Sequence, residues 1–366
     1  MPSASHNFDL AVIGGGPAGS AAAITAARLS ARVVLFEARD FPRHKVCGEF
    51  VSGEALELLA DLLRESPAGR LLLETAPASN RTRLFLGKRR IEAPISPAAR
   101  SITRYDLDNQ LWQAAHMAGV ETHASCEVSA VASPGPFELT TPGGTYSARA
   151  IIVAAGRWSQ FTPDRSVPAG PRWIGVKGHF REPDASRTTD LYFFGHGYCG
   201  VQSVAKGVVS ACAMVRSDCA TTLADVFRLH PKLAERAAGW TAVTQPVSTA
   251  PLIYRAAQPT RGGMMYAGDA AAFIDPFVGD GISIALRSGR LAAECVCQFL
   301  ADEMPLSGSV ATYQREYRRR FAPLFTTASR VRSLMSLPQA AQAAAFQLLR
   351  LPGVMPYIIR KTRSAS

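Results

Sequence analysis

A cysteine set among ionisable neighbours is the first place in this chain where side-chain chemistry is concentrated. The stretch HKVCGEF, residues 44–50, puts Cys47 between Lys45 and the Gly48–Glu49 pair, with His44 just upstream. A thiolate is a nucleophile and a metal ligand, and a base or cation nearby lowers the thiol pKa towards that state. Four roles are therefore open to Cys47: nucleophile, metal ligand, half of a disulfide, or a small side chain lining a pocket. The other cysteines, at 126, 199, 212, 219, 295 and 297, are scattered. No Cys-x-x-Cys occurs and Cys295-x-Cys297 has no second ligand pair, so no zinc or other metal site is expected. Seven thiols, an odd number, read as free cysteines of a reducing compartment.

A second cluster is made of glycines. Gly14, Gly16 and Gly19 form Gly-x-Gly-x-x-Gly between the apolar run Phe8–Ile13 and an alanine-rich segment. Such glycines allow a tight turn, the approach of a pyrophosphate and close helix–strand packing. Pro17 and Ala18 open the helix whose unpaired N–H groups would face the phosphates. A second apolar run, Arg32–Phe36, ends at Glu37 and Ala38, where the acid can accept hydrogen bonds from both ribose hydroxyls of an adenosine. A glutamate there disfavours a ribose 2′-phosphate, which leaves FAD or NAD.

These residues need elements to hold them. The first unit requires a strand–helix–strand, and a later stretch, GGMMYAGDAAAFIDPFVGDGISIALRSGRLAAE (262–294), supplies a further strand and helix. In it Met264–Ala267 reads as a strand that Gly268–Asp269 ends, and Gly279-Asp280-Gly281 opens a helix to about residue 300. Together the motifs resemble the FAD-dependent superfamily of geranylgeranyl reductases and p-hydroxybenzoate-type aromatic hydroxylases, over at least residues 8–300. The resemblance implies FAD, with Asp269, after Gly268, on a ribityl hydroxyl. Gly279, Gly281 and Ile282 then face the flavin O2 edge. It also implies that Arg104, in ITRYDLDNQLWQAA, sits near flavin and pyrophosphate. The strand CEVSAV (126–131) would clamp the adenine around Val128, and AIIVAAGRWS (150–159) would turn beneath the cofactor. Lys45, Cys47 and Gly48 match a Lys-x-Cys-Gly segment of reductase-like members that reaches the flavin, whereas Val46 and Glu49 depart from the commoner Pro and Gly. On that resemblance Lys45, Cys47, Gly48 and Glu49 line the pocket. Cys47 is then a wall, and no catalytic residue is assigned because the flavin carries the reaction.

The expected fold is α/β: a Rossmann-like βαβ domain that binds FAD, an inserted antiparallel β-sheet over the substrate, and C-terminal helices. The expected boundaries are 1–164, 165–260, 261–305 and 306–366. Alternating apolar runs such as RWIGVKGHF and DLYFFGHGYCGVQSV give the inserted sheet, with Trp173, His179 and Cys199 expected to face the substrate. A 47% hydrophobic composition excludes disorder, and the net charge of +11 suits an anionic surface or ligand without an aromatic-interleaved nucleic-acid motif. No signal peptide or spanning run of about 18 apolar residues is present. The expectation is a cytoplasmic protein whose basic, apolar end (336–366) allows peripheral contact with the inner face of a membrane. The expected activity is an FAD-dependent oxidoreductase acting on a hydrophobic small molecule, as a tailoring monooxygenase or a double-bond reductase. NAD(P)H would be its transient electron donor, unless another donor serves. The alternative is a flavoprotein electron carrier. A halogenase is disfavoured because Trp-x-Trp-x-Ile-Pro is missing.

Overall fold

The computed structural model describes residues 6–132, 136–162, 172–249, 251–254, 256–273, 279–335 and 347. The basic C-terminal stretch therefore lies, but for Gln347, outside the described residues. In chain order the principal elements are β1 (His6–Ile13), α1 (Pro17–Arg28) and β2 (Val33–Phe36), then the hairpin β3 (Ala78–Leu86) and β4 (Arg89–Ser101). They continue through α2 (Arg104–Met117), β5 (Gly144–Val153), β6 (Trp173–Arg181), β7 (Thr189–Phe194), β8 (Gly197–Ala205) and β9 (Val208–Arg216). The chain then forms α3 (Leu223–Arg228), α4 (Pro231–Ala237), β10 (Met264–Tyr266), α5 (Gly281–Leu300) and α6 (Leu306–Met335).

β1 and β2 are buried on both faces, which is why they read as apolar runs without alternation. β1 is the inner strand of a parallel ladder: Ile13 pairs with Phe36 on one side and with Val153 on the other. β10 extends the ladder beyond β5, with Met265 opposite Ile152. Small residues let α1 and α5 cross closely, since a Cβ on Gly289 would lie 2.0 Å from the Ala18 carbonyl oxygen. Beneath β10, α6 presents Tyr313, Tyr317, Phe321 and Leu324, a buried stripe at helical spacing. Tyr313 Oη donates to the Tyr266 carbonyl at 2.6 Å. Among the described residues no helix is long and apolar enough to cross a membrane.

The second sheet differs from the expectation in extent and in direction. It runs from 241–242 through β6, β9, β8, β7, β3 and β4 to Phe50–Val51, so residues 50–101 contribute three strands that the 165–260 boundary left out. β7 pairs with β3 in parallel, Leu191 opposite Leu84, making the sheet mixed and not purely antiparallel. The register shifts between the Ser79–Ala99 and Arg81–Pro94 pairs, so the extra residues lie on β4, and this irregularity interrupts the period-two pattern of the hairpin. The β3–β7 junction carries a buried ion network. Asp190 accepts from Arg83 Nε at 2.6 Å and from Arg236 Nη1 at 2.6 Å, and Arg236 also binds Glu182 through two contacts of 2.7 Å.

The two faces of this sheet have different company. Ile174, Val176, Tyr192, Cys199 and Val201 pack with Leu223, Val226 and Leu233 of α3 and α4. On the opposite face Trp173, Tyr198 and Met214 cluster with Tyr254 and Phe273. Cys199 was expected to face a substrate; it lies instead in the helix-covered core, where burial pushes its thiol up to about 12. Strand alternation explains the error: Cys199 and Tyr198 are adjacent, so only one of them can point to the open face.

Candidate functional site

Gly14 has φ +108°, and a Cβ there would lie 2.5 Å from the Ala154 carbonyl oxygen, so only glycine can make this turn beside β5. At Gly19 a Cβ would sit 1.8 Å from the Gly14 carbonyl oxygen. Gly16 is different. Its Cβ position is open, with Arg43 Nη2 at 3.8 Å and Arg104 Nη2 at 3.9 Å as its nearest neighbours. Glu37 closes the other side, its Oε2 accepting from Gly15 N at 2.8 Å and its Oε1 from Arg39 N at 3.1 Å. Arg43 is ion-paired with Glu37 and approaches the fully buried Asp108 at 3.4 Å, while its Nη2 is buried without a hydrogen-bond partner. A hollow at a helix N-terminus, lined by two guanidiniums and holding an unspent donor, fits a pyrophosphate. Lys45, exposed on the same loop, stands beside both arginines, and desolvation followed by those two cations lowers the pKa of its ammonium. Arg43 was missed in the sequence, where only its position on the loop after β2 marked it.

Arg104 opens α2 behind the Thr103 cap and holds Asp108 through Nε–Oδ1 at 2.6 Å and Nη2–Oδ2 at 2.7 Å. Burial would raise the Asp108 carboxyl, but the Arg104 charge and hydrogen bonds outweigh it and hold the group below its usual range. The segment expected as strand 126–131 is strand only from Ala130 to Ala132. Val128 is buried in an irregular stretch, its carbonyl accepting from Gln160 Nε2 at 2.8 Å, while Cys126 N donates to the Glu37 carbonyl at 2.8 Å.

The late motif lies at the end of β10. Asp269, half-buried in the short helical turn Gly268–Ala270, neighbours Arg157. The Arg157 guanidinium sits over the Phe273 ring at 4.2 Å, and its Nη1 is buried without a hydrogen-bond partner. Gly268 N donates to Ser288 Oγ at 2.9 Å, tying the turn to α5. Ile282 is buried one residue into α5. Residues 274–278, between this turn and Gly279, lie outside the described residues. A Cβ on Gly48, Gly156 or Gly281 would meet nothing within 4 Å, so three of the backbone positions expected near the cofactor face open space.

The 44–49 loop is fastened to the open face of the second sheet. Val46 fills the space left by Gly175, where a Cβ would come within 2.8 Å of Val46 Cγ1, and Gln202 Nε2 donates to the Gly48 carbonyl at 2.7 Å. Glu49, with φ +59°, is fully buried. Its Oε1 accepts from Lys177 and from Arg104 N at 2.8 Å, and its Oε2 from His179 Nε2 at 2.7 Å. Lys177 is buried too, and reaches His44 Nδ1 at 3.2 Å and the Lys45 carbonyl at 3.4 Å. The sequence placed His179 against substrate; the structure pairs it with Glu49. Lys177 was missed, its charge hidden within an otherwise apolar run. Cys47 is half-buried and accepts from Glu49 N at 3.3 Å, while Trp173 lies in the apolar cluster of the same sheet face.

This cluster gives stability a pH dependence. Desolvation, then Lys177 and His179, lowers His44 from 6.5 to about 4, so between those values the unfolded chain takes up a proton that the fold refuses. Burial would raise Glu49, but His179 and Lys177 outweigh it and lower the carboxyl from 4.5 to about 2, with the same sign in that lower window. Stability should therefore fall as pH drops, first below about 6.5 and again below about 4.5. Thermal unfolding midpoints across this range test the sign, and His44→Phe should flatten the upper segment.

With the geometry established, comparison with known proteins identifies its setting. Residues 9–42 match the family model for FAD dependent oxidoreductases. The chain is 28% identical to a menaquinone reductase of Mycolicibacterium smegmatis, across 96% of this chain and 90% of that protein. Among solved structures it superposes on a flavin-dependent brominase with TM-score 0.83 at 20% identity, covering 97% of this chain and 93% of that one. It also superposes on a geranylgeranyl bacteriochlorophyll reductase-like protein of Thermoplasma acidophilum with TM-score 0.78 at 19% identity, covering 98% and 97%. At these identities the structural matches establish the fold.

Proposed function

From the premise that the chain is an FAD-dependent oxidoreductase enzyme, we propose that it reduces a carbon–carbon double bond in a hydrophobic small molecule. The observation that carries this reading is the apolar cluster of Trp173, Tyr198, Met214, Tyr254 and Phe273, which adjoins the cofactor site through Arg157 and Asp269. Bound FAD would supply hydride transfer. The Gly16 hollow with Arg43, Lys45 and Arg104 would hold the pyrophosphate, Glu37 the ribose and Asp269 the ribityl chain. The fastened 44–49 loop would fix the wall against which a greasy substrate lies, excluding water from it. Reductase-named relatives support the reaction type, and NAD(P)H or another donor would reload the flavin. Peripheral membrane contact is part of the reading, supported by the exposed Arg315, Arg318, Arg319 and Arg320 on α6. The test is to reduce the holoprotein anaerobically and add prenylated compounds. Reoxidation of the flavin without oxygen, with saturation of the alkene, is the expected result. Turnover only with oxygen and a hydroxylated product would make the enzyme a monooxygenase, and no substrate-dependent reoxidation would leave it an electron carrier.

A further inference from the structure

The hydrogen bonds around His44 fix which of its ring nitrogens carries the proton. An ammonium has three donors and no acceptor, and Lys177 Nζ spends them on Glu49 Oε1, the Lys45 carbonyl and His44 Nδ1. Nδ1 must therefore accept, which places the proton of the neutral ring on Nε2. His44 Nε2 is buried and has no hydrogen-bond partner. The ring cannot readily turn away: it stacks on Tyr105 with centroids 4.9 Å apart and planes at 12°, and meets the His179 ring at 5.0 Å. Buried polar groups are rarely left unpaired, because the unmade bond carries the full desolvation cost. Here the donor belongs to the loop that ends in Cys47 and Gly48, and its orientation is set by a buried charge cluster that otherwise satisfies its own members.

We propose that His44 Nε2–H is a binding group for a carbonyl-type oxygen of a molecule held at this loop. Two molecules could bring that oxygen: the substrate, which would then carry a carbonyl or quinone group beside its apolar part, or the flavin ring itself. The inference rests on the reading of an enzyme with a hydrophobic substrate. It makes Glu49, Lys177 and His179 positioning residues, which act through the His44 tautomer. Protonated His44 would present a donor to the Lys177 ammonium, so the cluster also keeps the ring neutral and the tautomer single.

The test uses protein labelled with 15N in its histidine rings. Spectra are taken before and after loading FAD, then after adding a short-chain prenylated benzoquinone or, separately, a prenyl hydrocarbon without oxygen. The expected result is an Nε2–H tautomer whose resonance moves on FAD loading or on adding the quinone, and not with the hydrocarbon. Whichever ligand moves it should bind about tenfold more weakly to His44→Phe, which keeps the stacking on Tyr105. His44→Gln, which keeps an N–H donor, should recover most of that loss. A move with FAD alone assigns the oxygen to the flavin, and a move with the quinone assigns it to the substrate. An Nδ1–H tautomer, a resonance indifferent to both ligands, or unchanged affinities in His44→Phe would each overturn the proposal. Alkene-dependent reoxidation of the flavin is measured independently, so a protein that performs it while His44 stays silent loses this inference alone.

Discussion

Replacing Glu49 by alanine is expected to destabilise the protein by about 3–5 kcal/mol, among the largest effects available to a single substitution here. The cause is what remains. Lys177 and His179 are buried with the carboxylate as their shared partner, and its removal leaves an ammonium without a counter-charge in a place water does not reach. A series separates this effect from backbone strain. Glu49 holds φ +59°, a conformation that costs a residue with a Cβ about 1–2 kcal/mol, so Glu49→Gly should be milder than Glu49→Ala by about that amount. Adding Lys177→Met to Glu49→Gly should bring stability back to the parent level or above, because a buried ion pair replaced by apolar groups is often neutral or stabilising. Urea unfolding of the holoproteins measures all four. A loss below about 1 kcal/mol in Glu49→Ala would mean that Lys177 finds water or another anion, and that the cluster is not sealed.

Gly16→Ala and Gly19→Ala should fail for opposite reasons. At Gly19 the new methyl would be 1.8 Å from the Gly14 carbonyl oxygen, a backbone atom, so the strand–helix junction itself must shift. The expected cost is about 1–3 kcal/mol or more, already present without cofactor. At Gly16 the methyl has room, 3.8 Å from Arg43 Nη2, but occupies the hollow meant for the pyrophosphate. Gly16→Ala apo-protein should therefore unfold like the parent while its FAD affinity falls by about 10- to 100-fold, the loss of about one hydrogen bond to a charged group. Titrating apo-proteins with FAD beside their unfolding curves distinguishes the two. Parental FAD affinity in Gly16→Ala would remove the pyrophosphate from this hollow.

The parts of the site that were legible in sequence are those in which the backbone does the work. Gly14, Gly19 and the Gly268–Asp269 turn declare themselves because few residue types tolerate such geometry, and the β1–α1–β2 unit follows from two apolar runs and an alanine-rich helix. What stayed hidden depends on pairing between distant residues. Lys177 looks like a surface lysine until Glu49, 128 residues earlier in the chain, is brought to it. The clue was Glu49 standing where a glycine is commoner, since an acid in such a position needs a partner. Trp173 and Cys199 were indistinguishable as aromatic and thiol on inner strands. Only the registers of β6 and β8 against β9, Trp173 opposite Arg216 and Cys199 opposite Ala213, decide which face each residue joins. The strands of 78–101 escaped for a simpler reason, extra residues on β4 between Pro94 and Ala99 that break their rhythm.

The β3–β7 junction has a consequence for the chain's birth. The partners Arg83 and Asp190 stand 107 residues apart, and β3 is joined to β7 from Thr82 to Leu86. At synthesis rates of about 5–20 residues per second, the β3–β4 hairpin waits roughly 5–20 seconds after emerging before its neighbour exists. During that interval one strand edge, with Leu84 and Leu86 on it, is open to any other nascent strand. Arg81 and Arg83 also lie on that strand, and their charges disfavour pairing with a second copy of the same hairpin. The arginine that later locks the sheet thus also shields it while it is incomplete, and a neutral residue there would be felt first in the yield of soluble protein.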